Sequence, residues 1–185
     1  MPYTNKINEI IRVNHAGEMG AKVIYDGQIL ALKIKRDLET KKIIENMKIQ
    51  EVEHFNYFDN QIKKYKYRPT IMQPLWGIGG FALGFLTAFI DKKAAMVCTT
   101  AVEEVIDDHY KEQINDLDNL EKNYNLGNNN DLKELKDNIK KFRNDEIHHR
   151  DIAYENDAKN FIAYKALSNF IKFTTKLAIE VSKKI

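Results

Sequence analysis

Cysteine is almost absent from this chain of 185 residues, because Cys98 is the only one. A single cysteine cannot form an internal disulfide, a Cys-x-x-Cys redox pair or a cysteine-ligated iron centre. Any metal chemistry must therefore use oxygen and nitrogen ligands.

Residues that interrupt helices are also scarce, since the chain has 3 Pro and 8 Gly. No alternation typical of strands stands out, and long stretches consist of Leu, Ile, Lys, Glu and Ala, which favour helix. We therefore expect an all-α protein. At this length, with 43% hydrophobic residues, residues 1–185 are expected to form a single domain.

Neither sign of charge is in excess. The chain has 29 Lys and Arg against 27 Asp and Glu, a formal net charge of +2. A nucleic-acid partner is not expected, because such proteins usually concentrate positive charge on one face. Residues 1–9 also lack the basic and apolar regions of a secretion signal, so we expect the protein to stay where it is made.

Hydrophobic spacing and capping residues predict five long helices. They are expected at about 4–36, 38–65, 91–123, 131–157 and from about 161 onward. Asp91 can cap the third of these helices, and Asp131 with Glu134 resembles a capping box at the start of the fourth.

The segment between the second and third of these helices is uncharged from Pro69 to Ile90. Its length suits a membrane-spanning helix. Two prolines and four glycines interrupt it, so we favour a short helix lying at the membrane interface. A buried hairpin segment is the alternative.

Residues 77–82 of this segment match the Gly-x-Gly-x-x-Gly/Ala pattern of dinucleotide-binding proteins. That pattern requires a βαβ unit around it, and none is predicted here. We therefore assign no residues to the binding of an organic cofactor.

Two Glu-x-x-His pairs alternate along the chain with two further helical glutamates. The six residues are Glu18, Glu51, His54, Glu103, Glu146 and His149. Residues three apart on a helix point to the same side, so the carboxylate and imidazole of each pair can bind one metal. Di-iron proteins of the ferritin-like fold use one Glu from each of two helices and a Glu-x-x-His from each of the other two. The order predicts a ferritin-like four-helix bundle, to which the apolar segment and a C-terminal helix are added.

The other histidines fit this site less well. Asp145/His148 has the same spacing, but it breaks the symmetry of the two other pairs, and His148 is expected to face solvent. His15 lies close to a predicted ligand, although a locally hydrogen-bonded histidine is the commoner case. His109 is expected off the ligand face.

The predicted ligands indicate the chemistry. Four glutamates carry four negative charges, which two divalent cations would cancel, whereas unpaired carboxylates are costly to bury. Carboxylate and histidine ligands suit ferrous iron and manganese, and their spacing does not distinguish the two metals. Two ferrous ions can supply two electrons to dioxygen, which lets such a site put an oxygen atom into an organic substrate.

Four further side chains are candidates for contacts with the ligands or the substrate. They are Tyr25, Asp107, Tyr110 and Asp145. Helical spacing puts both tyrosines and Asp107 near the faces that carry glutamates. The two aspartates are candidate hydrogen-bond partners for the second nitrogen of His54 or His149. An aspartate exposed to solvent or a tyrosine packed in the core is an equally good interpretation of each of these four positions. No residue is assigned a direct catalytic role.

A set of short motifs extends over nearly the whole chain. They are IIRVNHAGEMGA at 10–21, EVEH at 51–54, RPT at 68–70, PLW at 74–76, GFALG at 80–84, AVEE at 101–104, HY at 109–110, FR at 142–143 and EIHHRDI at 146–152. Together they resemble the demethoxyubiquinone hydroxylase family of ubiquinone biosynthesis. The family often has Asp in place of Asn14 and Tyr in place of Met19, and neither residue is a ligand.

The resemblance implies a ferritin-like di-iron monooxygenase that uses O2 to add the last ring hydroxyl to a polyprenylated demethoxyquinol. Its two iron ions would be held by the six residues named above, with Glu53 and Glu104 near them. The resemblance also implies a peripheral membrane protein, and we expect it on the cytoplasmic side of the cell membrane.

The substrate's isoprenoid tail gives the uncharged segment a role, because a quinol with such a tail stays in the bilayer. Residues 69–90 are therefore expected to meet the membrane surface. We hypothesise that Trp76, Phe81, Phe85 and Phe89 help to form an apolar patch and the entrance for the tail.

Other functions are compatible with parts of the pattern. A ferroxidase or iron-storage protein would need the metal site but no lipid-facing segment, and a metal-free membrane-associated helical scaffold would need no ligands. A di-iron hydroxylase acting on RNA is disfavoured by the balanced charge. The sequence leaves open the electron donor, the length of the isoprenoid tail and whether the chain forms a homo-oligomer.

Overall fold

The computed structural model describes residues 2–185, which form six α-helices and no strand. The helices are α1 (Pro2–Lys35), α2 (Leu38–Tyr65), α3 (Gln73–Ile90), α4 (Lys92–Asn123), α5 (Asn130–Glu155) and α6 (Tyr164–Lys184). The prediction of an all-α fold is confirmed. The last helix begins later than predicted, because a 3₁₀ turn at Ala158–Asn160 and an extended Phe161 separate it from α5.

Local capping sets the ends of the helices. The side chain of Asp37 accepts a hydrogen bond from the amide of Thr40 at the start of α2, and that of Asp91 accepts one from Lys93 at the start of α4. The capping residue of α5 is Asn129, whose side chain accepts a hydrogen bond from the amide of Leu132. The capping box predicted two residues later is therefore wrong, because the helix already begins at Asn130.

Four of the helices form a bundle in which α1 packs along α2 and α4 packs along α5. One core cluster includes Leu32, Ile44 and Met96, and a second includes Ile11 and Ile139. The six predicted ligands fall between these clusters along each of the four helices. The packed ends of the bundle therefore hold the functional segment of each helix in place.

Close backbone contact joins α3 to the outer side of α1. A Cβ atom on Gly84 would lie 2.0 Å from the carbonyl oxygen of Ile24, and one on Gly27 would lie 2.2 Å from that of Phe81. Only glycine allows the two helices to come this close. Gly84, one of the four glycines that interrupt the apolar sequence, is thus needed for the docking of a regular helix, as is Gly27 on α1.

Most of α3 is nevertheless exposed. The helix is long and apolar enough to cross a membrane, with 18 residues and a mean hydropathy of 1.3, and only 17% of it is buried. The alternative of a buried hairpin segment is therefore wrong. The C-terminal helix α6 packs on both α4 and α1.

We predict that Gly84→Ala lowers the free energy of unfolding by about 1–3 kcal/mol, because the added methyl group forces α3 away from α1. Gly79→Ala is the matched control on the same helix, since nothing lies within 4 Å of its Cβ position. The control should be neutral or stabilising, because alanine favours helix over glycine by about 1 kcal/mol. Denaturant unfolding of both variants measures the difference, and equal stabilities would contradict the packing described here.

Candidate metal centre

The bundle brings all six predicted ligands into one buried cluster. Their donor atoms form two overlapping groups, one from Glu18, Glu51, His54 and Glu146 and one from Glu51, Glu103, Glu146 and His149. Within each group the donor atoms lie within 4.8 Å of one another. None of the six residues is more than 4% exposed. Two of the glutamates belong to both groups and are placed to be shared between two metal positions.

Both histidines turn the same ring nitrogen toward the carboxylates. Nδ1 of His54 lies 3.1 Å from Glu146 and 3.4 Å from Glu18. Nδ1 of His149 lies 3.0 Å from Glu51 and 3.1 Å from Glu146. The Nδ1 atoms are therefore the candidate metal-binding atoms, and each Nε2 atom points outward.

The outward nitrogens have different partners. Nε2 of His54 lies 3.1 Å from Oδ2 of Asp145, a contact that the sequence predicts as one of two possibilities. Nε2 of His149 lies 2.9 Å from Oε1 of Gln50, a residue that the sequence analysis missed. A signal for it was present, because Gln50 precedes one Glu-x-x-His pair just as Asp145 precedes the other. In each case the preceding residue contacts the histidine of the opposite pair.

Asp107 does not contact either histidine, so its predicted role beside them is wrong. Its carboxylate instead accepts hydrogen bonds of 2.6 Å from Arg143 and 2.6 Å from Lys111. These bonds to two cations, one of them on α5, hold Asp107 between α4 and α5. The guanidinium and ammonium groups lower the pKa of Asp107 although burial acts to raise it.

The two glutamates expected near the ligands also lie elsewhere. Glu53 is exposed on α2. Glu104 accepts a hydrogen bond from the hydroxyl of Tyr154 and pairs with Lys172 of α6. Each follows a ligand-bearing position by one or two residues, which turns it away from the ligand face.

Two tyrosines support the outer glutamates of the cluster. The hydroxyl of Tyr25 donates to Oε1 of Glu103 at 3.1 Å, and that of Tyr110 donates to Oε1 of Glu18. Each tyrosine thus donates its hydrogen bond across the pair of helices α1 and α4. Helical spacing alone would have paired each tyrosine with the glutamate on its own helix. Burial and the neighbouring carboxylates raise the pKa of both tyrosines well above the usual value, so both remain neutral donors.

The remaining histidines lie outside the cluster. His15 is buried near Asp59, 3.4 Å away, and its ring lies against Phe55. His109 is hydrogen-bonded to Gln113. His148 is exposed, as predicted.

The electrostatics of the cluster favour bound cations. Burial raises the pKa of Glu51 and Glu103 well above the usual value, and the nearby carboxylate of Glu146 raises it further. Within residues 2–185, neither oxygen of Glu51 nor Oε2 of Glu103 accepts a hydrogen bond. Buried, unpartnered carboxylate oxygens are costly, and positive charge among them removes that cost. The oxygen and imidazole donors therefore fit a pair of divalent cations.

The fold and this cluster define a class of protein, a helical bundle with a candidate two-metal carboxylate site. The family model for the ubiquinone biosynthesis protein COQ7 matches residues 5–182. This chain belongs to that family.

Curated relatives agree with this assignment. The chain is 42% identical over 179 residues to the "NADPH-dependent 3-demethoxyubiquinone 3-hydroxylase, mitochondrial" of Dictyostelium discoideum, covering 97% of this chain and 77% of the relative. It is 42% identical over 179 residues to the "3-demethoxyubiquinol 3-hydroxylase" of Rhodospirillum rubrum, covering 97% and 78%. The human protein, which has the same name as that of Dictyostelium, is 39% identical over 181 residues, with coverage of 97% and 78%.

We predict that the parent chain binds two ferrous ions and that His149→Gln binds one or fewer, because the change removes one of the two imidazole donors. His148→Gln is the matched control, since it changes the neighbouring exposed histidine and should retain two ions. Iron per chain is measured after anaerobic loading with ferrous iron and desalting. Equal iron contents in the two variants would contradict the assignment of His149.

Proposed function

We propose that this chain is a di-iron monooxygenase that uses O2 to hydroxylate the ring of a polyprenylated demethoxyubiquinol in ubiquinone biosynthesis. The observation that carries the proposal is the position of the six-residue cluster, because α1 and α4, which carry Glu18 and Glu103, also line an apolar cavity. The names of the Dictyostelium and Rhodospirillum relatives, which describe 3-hydroxylation of a demethoxyubiquinone or demethoxyubiquinol, support this reaction and substrate.

The site is built to bind and protect a reactive metal pair. When bound, two ferrous ions supply the electrons that dioxygen needs to become reactive toward the quinol ring. Glu51 and Glu146 lie where both ions can share them, and the tyrosine hydroxyls fix the orientation of Glu18 and Glu103. Burial of all these groups excludes bulk water, which prevents side reactions.

The substrate needs room next to the metals, and a cavity of about 400 Å³ lies between α1, α3, α4 and α6. Its volume lies in the range of pockets that bind small ligands. Gly17 of α1 and Val102 of α4 line it, and they directly precede Glu18 and Glu103 in the chain. Because no side chain projects from Gly17 or Gly20, the quinol ring can approach the helix that carries Glu18. The indole N–H of Trp76 in α3 donates a hydrogen bond of 3.1 Å to the hydroxyl of Ser182 in α6, and both residues line the cavity.

The membrane surface is the source of such a substrate. The exposed sides of α3 and α6 carry large apolar residues that are each at least 39% exposed. These residues, which we call the apolar surface, are Leu75, Ile78, Phe81, Leu86, Phe89, Ile90, Phe170, Phe173 and Leu177. The tight docking of α3 on α1 leaves only one side of α3 for lipid, which favours a helix at the interface over a spanning helix.

The apolar surface includes only part of the aromatic set hypothesised from the sequence. Phe81 and Phe89 are exposed, while Trp76 lines the cavity. Phe85 instead packs against the core cluster that contains Leu32 and Ile44. We propose that the apolar surface holds the protein on the cytoplasmic side of the cell membrane. The Dictyostelium and human relatives are named mitochondrial.

The competing functions account for fewer of these features. The function of a ferroxidase or iron-storage protein does not require the apolar cavity or the apolar surface. The function of a metal-free scaffold does not require four buried carboxylates. The names of two relatives include NADPH dependence, which makes NADPH the first electron donor to test.

We predict that iron-loaded protein, given demethoxyubiquinol in lipid vesicles with NADPH or a chemical reductant, adds one oxygen atom from isotopically labelled O2 to the ring. Mass spectrometry of the quinone detects the label. Glu103→Gln should lower turnover by at least about 100-fold, because the metal pair loses a charged ligand. Glu112→Gln, an exposed change on the same helix, should have no effect. Oxidation of iron by the parent chain without labelled quinone would support the ferroxidase instead.

We predict that the double change Ile78→Ser and Phe173→Ser lowers binding to lipid vesicles by about tenfold or more, because it removes apolar area that would be buried in lipid. Vesicle co-sedimentation measures the binding. Ile49→Ser is the control, since Ile49 is 60% exposed on α2, outside the apolar surface. If the control loses as much binding as the double variant, the apolar surface has no special role.

A further inference from the structure

The two metal positions of the proposed centre have closely matched donors. Each is surrounded by three glutamates and the Nδ1 atom of one histidine, and two of those glutamates are common to both. The glutamate that is not shared, which is Glu18 at one position and Glu103 at the other, accepts a hydrogen bond from a buried tyrosine hydroxyl in both cases. The direct ligands and the tyrosines therefore give no reason for the two positions to differ.

The partners of the histidines break this match. Nε2 of His54 is 3.1 Å from the carboxylate of Asp145, whereas Nε2 of His149 is 2.9 Å from the neutral amide of Gln50. An Nδ1 atom that binds a metal leaves the proton on Nε2, so both Nε2 atoms must donate. The oxygen of Gln50 can accept this hydrogen bond, but it carries no full negative charge.

The surroundings hold both histidines in these orientations. The ring of His54 packs on the ring of Phe142 with a centroid distance of 4.1 Å, and the ring of His149 is nearly perpendicular to that of Tyr25 at a centroid distance of 6.3 Å. Both imidazoles are fully buried. Within residues 2–185 the only ion pair of Asp145 is the one with His54, so no Lys or Arg there weakens its effect on the ring.

We infer that the two metal positions have unequal affinities, with the position at His54 binding a divalent cation at least about 10-fold more tightly than the position at His149. A carboxylate that accepts the outer N–H of an imidazole makes the other nitrogen a stronger donor to a metal, and a neutral amide does so less. The sites should therefore fill in order, first at His54 and then at His149. This inference rests on the proposed function, because it assumes that the cluster binds two metals.

The test is an anaerobic titration of the metal-free protein with cobalt(II), followed by calorimetry and by the visible absorption of bound cobalt. We expect two binding steps that differ by about 10-fold or more. Asp145→Asn should weaken the tighter step by about 10- to 100-fold, and Gln50→Glu should strengthen the weaker step by a similar factor. Glu53→Gln is the control, because it removes one negative charge from an exposed position next to His54 in the chain and should change neither step.

A second pair of variants identifies which step belongs to which position. His149→Gln leaves the position at His54 and should bind one cobalt ion tightly, whereas His54→Gln leaves the weaker position. Circular dichroism establishes that each variant keeps its helices. Two equal steps in the parent chain, or equal effects of Asp145→Asn and Glu53→Gln, would overturn the inference while leaving the two-metal site intact. A parent chain that binds no cobalt would instead overturn the proposed function as well.

Discussion

Four carboxylates buried at the centre of a helical bundle are the constraint on which the rest of this structure depends. Carboxylates removed from water are unfavourable unless positive charge or hydrogen bonds compensate them. Two tyrosines and two histidines supply part of that compensation, yet three oxygens of Glu51 and Glu103 have no hydrogen-bond partner within residues 2–185. The packed ends of α1, α2, α4 and α5 hold these groups together. These buried carboxylates thus destabilise the centre of the bundle, and a pair of bound cations would remove this destabilisation.

The remaining two helices adapt this bundle to an apolar substrate. All six candidate ligands lie on α1, α2, α4 and α5, and α3 and α6 carry none of them. They enclose the cavity beside Gly17 and Val102 and present an apolar surface next to it. Close packing through Gly27 and Gly84 fixes α3 against the helix that carries Glu18. The candidate metal site and the cavity therefore share one helix, α1, on which α3 with its part of the apolar surface also packs.

Helical periodicity was enough to predict the fold class and to bring the six candidate ligands together, because each lies on a long regular helix. Contacts between helices were harder to predict. Asp107 has a spacing that suits a contact with the histidine ligands, but Arg143 and Lys111 bind its carboxylate instead. The periodicity of one helix does not reveal where a cation on another helix lies. Gln50 was missed because only two aspartates, Asp107 and Asp145, were considered as partners of the histidines. Phe85 faces the core because the glycine contacts between α1 and α3 set the rotation of α3, which composition does not reveal.

Above all we propose that six side chains from four helices bind two iron ions beside the apolar cavity. The most direct measurement is anomalous X-ray diffraction at the iron absorption edge, from crystals grown without air in ferrous iron. The account predicts two adjacent anomalous peaks, one within bonding distance of Nδ1 of His54 and one within bonding distance of Nδ1 of His149. Iron bound elsewhere, or no anomalous peak among these residues, would contradict it.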